Sequence, residues 1–379
     1  MNYYRHRYFT KSFSSIFVKI VPWIFYYLHY YYFLFIELIF SFMSEINLKK
    51  LSEELGLSIS SVSKALHDSY EISTETKKRV LAMAEKLNYQ PNPFARGLRK
   101  NKSNTIAVVI PEIANNFFSL VIDGIQLVAQ QKEYHVLTYL THEDYINEVS
   151  TINHLQCGRV DGVLISLCGE TASVDHLINL QHTGVPIIFF DRIPETMECS
   201  TVTTDDYESS FKATEHLMLA GCKKIAFLCV SRFLSITQKR MLGYQAALQK
   251  YKIAFDPKLI IQCNNDNISN QAILKKLLSR KVRPDGIFAS VEKLAISTYY
   301  VCNDLKIKIP QQLKIISFSN LRTASLLSPS LTTITQPAFE IGKESAELLF
   351  RMIKKKNLGG YMNKIVLQSS LIERNSTVK

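Results

Sequence analysis

The sequence contains no C-x-x-C pair, and its seven cysteines, Cys157, Cys168, Cys199, Cys222, Cys229, Cys263 and Cys302, are odd in number. That excludes a full disulfide framework and a thiolate zinc site, and reads as reduced thiols in a cytoplasmic setting, used as small apolar side chains. It also lacks G-x-x-x-x-G-K-[ST], G-x-G-x-x-G, G-x-S-x-G and H-E-x-x-H, so nucleotide-loop, nucleophile-elbow and zinc-protease chemistries have no foothold. The nine histidines are scattered without ligand spacing. Asp205-Asp206 is a lone acidic pair that reads as a helix start rather than a metal site. The expectation is a protein that is not an enzyme, with no catalytic residues, no metal and no cofactor.

Aromatic residues are distributed unevenly. The first 42 residues hold eight of the 19 tyrosines and the only tryptophan, Trp23, and Ile20 to Ile36 is almost wholly apolar or aromatic. That run approaches the length of a membrane span. Three readings fit it: a signal anchor, a signal peptide, or an upstream extension of a protein whose translation starts at Met43. No small-x-small cleavage site precedes Met43. Arg5, Arg7, Lys11 and Lys19 flank the run and would hold that end in the cytoplasm, exporting the rest of the chain. The favoured expectation is a spurious upstream start and a cytoplasmic protein; the alternative is a membrane-tethered one.

The net charge is +12 over 379 residues, and its distribution is informative. Residues 43–102 carry 11 Lys and Arg against seven Asp and Glu. This is the densest positive stretch after the extension, and it suits a polyanionic partner. Within it, Leu48, Leu51 and Leu55 form one helical stripe, and Gly56 sits where a helix ends. Ser58 offers a cap for a helix over Ile59–Leu66, with Val62, Ala65 and Leu66 inward. Ser73 caps a third helix, with Val80, Leu81, Ala84 and Leu87 toward the core. Two helices around a short Gly-containing turn fit a helix-turn-helix, and equally a plain three-helix bundle. Pro91 and Pro93 then open a short helical stretch, Phe94 to Leu98, followed by the basic linker Arg99-Lys-Asn-Lys-Ser-Asn104.

From Thr105 the rhythm changes. Apolar runs at 106–110, 136–140, 162–165, 186–190, 225–230, 286–289 and 315–318 read as buried parallel strands. Helical stretches at 117–132, 209–219, 238–251, 295–305 and 339–354 separate them. The expected fold class is a small all-α domain, a helix-turn-helix or a plain three-helix bundle, followed by a doubly wound α/β body of two lobes. Ligands of such sheets sit at the carboxyl ends of the strands.

Several segments carry a family resemblance. Leu57-Ser-Ile-Ser-Ser-Val-Ser-Lys-Ala-Leu66 resembles the G-V-S-x-x-T-V-S-R-x-L core of the LacI/GalR repressors. Asn88-Tyr-Gln-Pro-Asn-Pro-Phe-Ala-Arg-Gly-Leu98 looks like that family's G-Y-x-P-N-x-x-A-R-x-L hinge. Thr105-Ile-Ala-Val-Val-Ile-Pro111 with Asn115-Asn-Phe-Phe118 matches T-I-G-V-I-V-P and N-P-F-F. Blocks at 161–164, 185–192, 214–217, 240–244 and 331–337 are similar and stand in family order.

The resemblance implies a periplasmic-binding-protein-like body and a domain plan: 1–42 extension, 43–90 helix-turn-helix, 91–104 hinge and linker, 105–379 effector-binding and dimerisation. It implies a DNA-binding transcription regulator, a repressor, acting as a homodimer on a near-palindromic operator and controlled by a small, sugar-type effector. For DNA it implies Ser58, Ile59, Ser60, Ser61 and Lys64 at the recognition helix, and Asn92, Arg96 and Leu98 at the hinge. Ile59 offers methyls to a thymine, Ser60 donates or accepts, and Lys64 stands where arginine is common and lacks the bidentate fork. Leu98 is the expected minor-groove wedge, with Arg96, Arg99 and Lys102 facing phosphates. For the effector it implies Phe117, Phe118, Asp191 and Arg240. Two blocks depart: Ser317-Phe-Ser-Asn320 puts Ser319 where the family has a ligand-binding aspartate, and Ser290-Val-Glu292 puts Val291 in place of asparagine in A-N-D. A phosphorylated, acidic or less hydroxylated ligand, or weak binding, fits that loss.

Overall fold

The computed structural model describes residues 47–89, 102–156, 159–355 and 362–378. These fall into two compact units, one of residues 47–89 and one from residue 102 onward. The first 42 residues, Pro91, Pro93, the hinge residues Asn92, Arg96 and Leu98, and Cys157 lie outside the described residues. No helix among the described residues is long and apolar enough to cross a membrane.

The first unit is three helices: α1 Leu48–Leu55, α2 Ile59–Leu66 and α3 Thr74–Lys86. Each start is fixed by a short polar side chain. Asn47 accepts from the Lys50 amide, Ser58 from Ser61 and Ser73 from Thr76, and each such cap contributes about 1 kcal/mol. Gly56 ends α1 at φ +62°, the left-handed region that glycine enters without a Cβ penalty. Leu51, Leu55, Val62, Ala65, Val80 and Ala84 make the core, with Leu66 and Leu87 packed against it. Leu81 departs from expectation and is 53% exposed. Its apolar character suggests an inward face, but α3 meets the other two helices along one narrow side centred on Val80 and Ala84.

The second unit has two lobes. The first sheet has strand order β11-β5-β4-β3-β1-β2, made of β1 Thr105–Ile110, β2 His135–Leu140, β3 Gly162–Ile165, β4 Ile187–Phe190, β5 Ser200–Thr204 and β11 Lys364–Leu367, all pairs parallel. The second has order β12-β10-β9-β8-β6-β7, made of β6 Ile225–Cys229, β7 Ile260–Gln262, β8 Gly286–Ala289, β9 Lys314–Phe318, β10 Thr332–Thr335 and β12 Ser370–Ile372. Only β12 runs antiparallel to its neighbour among these described pairs. Helices α4 Asn116–Gln131, α5 Tyr145–Leu155, α6 Asp175–His182 and α11 Ala338–Lys355 serve the first lobe. Helices α7 Asp206–Leu219, α8 Ser235–Lys250, α9 Asn267–Leu278 and α10 Glu292–Asp304 serve the second.

The two-residue side-chain period of a strand divides the cores. Ile106, Val108 and Ile110 pack on one face of the first sheet, Ala107 and Val109 on the other. The apolar run in β2 predicts a buried strand, but its residues are exposed or half-buried because it is the edge strand. The expected strand and helix centres are otherwise present, with ends shifted by at most three residues. At Gly124 and Gly342 a Cβ would strike the facing backbone of α11 and α4, so these glycines let the two helices touch. The chain passes between lobes three times, and the crossings are tied together. The Gln336 amide donates to Thr204 Oγ1 (3.2 Å), Asn320 Nδ2 to the Gln336 carbonyl (2.7 Å), and the Ser369 amide to Asp205 (2.7 Å).

Candidate effector cleft and DNA-reading surface

The α/β topology places every β1–β4 and β6–β8 carboxyl end on the interlobe side. A cavity of about 740 Å³ lies there. Its lining follows those seven strands in turn: Glu112 and Asn115 after β1, Glu143 after β2, Gly169 after β3, Arg192 after β4, Ser231, Phe233 and Leu234 after β6, Gln262 to Asn265 at β7, and Ser290 to Lys293 after β8. Sheets of this kind bind at this end, where loops and helix starts converge.

The first-lobe wall is held by ions. Arg192 Nη1 donates to both oxygens of Glu143 at 2.9 Å, and the Gly169 amide donates to Glu143 at 2.6 Å. Arg192 Nε is buried without a hydrogen bond, 3.9 Å from Asp191. On the second-lobe wall, the Ser290 hydroxyl is likewise buried and unpaired. Glu292 joins the walls: its Oε1 accepts from Asn116 Nδ2 (3.0 Å) and its Oε2 from the Ser319 hydroxyl (2.7 Å). Phe233 and Tyr300 line the cavity while 85% and 60% exposed. A ring face beside carboxylates, amides and a guanidinium suits a compact ligand rich in hydroxyls.

Of the expected effector residues, Val291 lines this cavity. Ser319 stands behind it, reaching it through Glu292. Phe117 and Phe118 do not line it: they are 6% and 1% exposed, edge to face at 5.3 Å, in the core between β1 and α4. The aromatic face belongs to Phe233 and Tyr300 instead. Nothing periodic in the sequence marks either residue.

Arg240 is also out of the lining. It is 2% exposed, with Nε on Asp206 Oδ1 at 2.7 Å, Nη1 on the Ser290 carbonyl at 2.6 Å, and its guanidinium over Phe318 at 3.7 Å. The acidic pair is a helix start, with Asp205 at the cap and Asp206 leading α7. Burial pushes the Asp206 carboxyl up to about 6, against the pull of Arg240. Asp191 follows β4 at φ +58°, 6% exposed, with Gln336 Nε2 at 3.5 Å. Burial raises its carboxyl too, against Arg240 and Arg192. These groups form the floor between the crossings, one layer behind the cavity. Six described cysteines are buried and free. Burial pushes the thiols of Cys222, Cys263 and Cys302 up to about 12, which keeps them protonated.

In the first unit, Ile59 is 44% exposed and Ser60 is exposed at the start of α2. Ser58 and Ser61 bond to each other (2.9 Å), which commits their hydroxyls to the helix start. Lys64 pairs with Glu71. Tyr70, in the turn after α2, is 94% exposed and has no counterpart among the expected residues, because a lone tyrosine in a turn carries no pattern.

Comparison with known proteins matches both units. Residues 47–92 match the model of bacterial regulatory proteins of the lacI family, and residues 214–377 match the periplasmic binding protein-like domain. The chain is 28% identical over 324 residues to catabolite control protein A of Priestia megaterium, covering 85% of this chain and 94% of the relative. It is 28% identical over 330 residues to the transcriptional repressor CytR of Escherichia coli K12, covering 87% and 96%. A lac repressor dimer bound to operator and an anti-inducer superposes with a TM-score of 0.77 at 19% identity, over 89% of this chain and 100% of that one, a likeness of fold. The chain thus carries the DNA-binding module of the lacI-family regulatory proteins and a periplasmic binding protein-like domain, and is similar along most of its length to transcription regulators of that kind.

Proposed function

We propose that this chain is a repressor that reads a near-palindromic operator as a homodimer and loses or gains that grip when a small hydroxylated effector enters the interlobe cleft. The observation that carries the reading is the pairing, in one chain, of a capped helix-turn-helix with an α/β body whose seven strand ends converge on a cavity of about 740 Å³. Similarity to a ribose operon repressor of Haemophilus influenzae and to a transcriptional regulator in complex with cellobiose supports a sugar-type effector. DNA reading places the chain in the cytoplasm.

The start of α2 enters the major groove, where Ile59 meets a thymine methyl and Ser60 a base edge. Lys64 supports α2 through Glu71 in the free protein and turns to a guanine or a phosphate on DNA. Asn92, Arg96 and Leu98 form the hinge. Leu98 wedges into a central base step, where gained wrapping offsets the cost of unstacking. Effector contact falls to the cleft wall with Val291, while Asp191, Arg240 and Ser319 set the wall from behind. Phe233 and Tyr300 replace Phe117 and Phe118 as the ring-stacking face.

The test is selection of bound DNA from random sequence by the full chain. The reading expects enrichment of a two-fold symmetric site. Recovery of no symmetric sequence would overturn it.

A further inference from the structure

Three departures from the family motifs meet at one point in this structure. Asn116 stands at the proline of N-P-F-F, Ser319 where the resemblance puts a ligand-binding aspartate, and Glu292 at the aspartate of A-N-D. Asn116 and Ser319 lie 176 and 27 residues from Glu292 in sequence. Proline has no side-chain donor, and aspartate is one methylene shorter than glutamate. Here the new donor of Asn116, on the first lobe, reaches Glu292 Oε1 at 3.0 Å. The new donor of Ser319, on the second lobe, reaches Glu292 Oε2 at 2.7 Å. The Ser319 hydroxyl is itself held in place, since it accepts from the Leu321 amide at 3.1 Å.

We propose that Glu292 is an interlobe clasp, a carboxylate that bridges the two walls of the cleft. A carboxylate at position 319 would repel Glu292; serine instead donates to it and aims its second oxygen across the cleft. Both oxygens then accept from donors, and a hydrogen bond to a carboxylate is about twice as strong as one between neutral groups. Two weaker bridges flank the clasp: the Ser231 hydroxyl donates to the Gly169 carbonyl at 3.4 Å, and the Ile193 amide to the Ser235 hydroxyl at 3.3 Å. An effector entering the cavity competes with Asn116 for Glu292, so the clasp sets how much of the binding is spent on reopening the walls. That last step rests on the effector-cleft reading; the clasp itself does not.

The test is made on the full chain without effector, at pH 8. Spin labels on keto side chains placed at Ile146 and Ile268, both exposed and on opposite lobes, report the interlobe distance. Asn116→Asp sets two carboxylates against each other while putting a favourable acid in the first turn of α4. The closed-distance population is expected to fall about tenfold or more, the scale of a hydrogen bond to a charge. Glu292→Ala is expected to open the cleft similarly. Asn116→Asp with Glu292→Gln restores one donor and one acceptor, with the roles exchanged, and returns the wild-type distance. An unchanged distance distribution in both Asn116→Asp and Glu292→Ala would overturn the clasp, as would a double variant as open as Asn116→Asp alone. Melting of each variant identifies any that fails to fold, and the exchanged pair then decides the question. Because no effector is present, a wrong assignment of effector class leaves this result unaffected.

Discussion

In the helix-turn-helix unit the side chain that starts α2 lies three residues from the amide it holds, Ser58 to Ser61; across the cleft, Asn116 and Glu292 lie 176 residues apart. The first unit is built from local rules: caps, a left-handed glycine and an apolar stripe. The second builds its site from the ends of seven strands and the spaces between them. Function in the first unit therefore sits on exposed side chains whose positions follow from the helix itself. Function in the second depends on pairings that no single segment contains.

The largest expected effect breaks the second region alone. Asp206→Ala leaves Arg240 buried without its partner, and such a loss costs about 3–5 kcal/mol. Denaturant unfolding of the full chain should show that loss in the body, while α1 to α3 keep their own core. Asp206 also sets a pH dependence. Its carboxyl rises from 3.8 to about 6 on folding. Between those values the folded chain holds a proton that the unfolded chain has lost, so stability should fall as pH rises through the window. Asp206→Asn should reduce that slope in unfolding measured from about pH 3.5 to 7, leaving the share of Asp191, whose carboxyl burial also raises; an undiminished slope would place its source elsewhere.

This asymmetry explains what was legible in the sequence. The three helices of the first unit appear with the caps Ser58 and Ser73 and the break at Gly56, because each signal lies within four residues of its effect. The apolar strands of the body were legible for the same reason. β5, Ser-Thr-Val-Thr-Thr, was not, since its hydroxyl-rich sequence looks exposed while all five residues are buried in mid-sheet. β10 and β11 hide similarly behind threonines and an edge position. In the site, family position pointed to Phe117, Phe118 and Arg240, but packing decided otherwise. The phenylalanines serve the core, and Arg240 is consumed by Asp206 and the Ser290 carbonyl. Phe233 faces the cavity from the loop before α8, and Tyr300 from the exposed side of α10.

The next effect is confined to the first unit. Leu51 is fully buried, and Leu51→Ala should destabilise the three-helix unit by about 3 kcal/mol. Operator binding should be lost, while the labelled interlobe distance stays at its wild-type value. A change in that distance would mean that the two regions are not separable in the way the contrast requires. Smaller again is Ser58→Ala, which removes the acceptor for the Ser61 amide and should cost about 1 kcal/mol by thermal melting. The smallest expected change is Ile59→Ala. It should leave melting within about 0.5 kcal/mol, as surface substitutions do, and relax selection at one base pair in the DNA pool; unchanged preference at every position would remove Ile59 from the reading surface.

The account turns on the cleft controlling the helix-turn-helix. The direct measurement is operator affinity of the full chain, by fluorescence anisotropy on the selected DNA, with and without a panel of neutral, acidic and phosphorylated sugars. It is repeated with Ser290→Phe, which fills the cavity at a wall residue whose hydroxyl has no partner. The account predicts that one sugar changes the wild-type affinity by about 5- to 150-fold, the usual range of coupling between two sites, and leaves the filled variant unmoved. Affinity that no sugar changes, or a filled variant that responds as the wild type does, would contradict it.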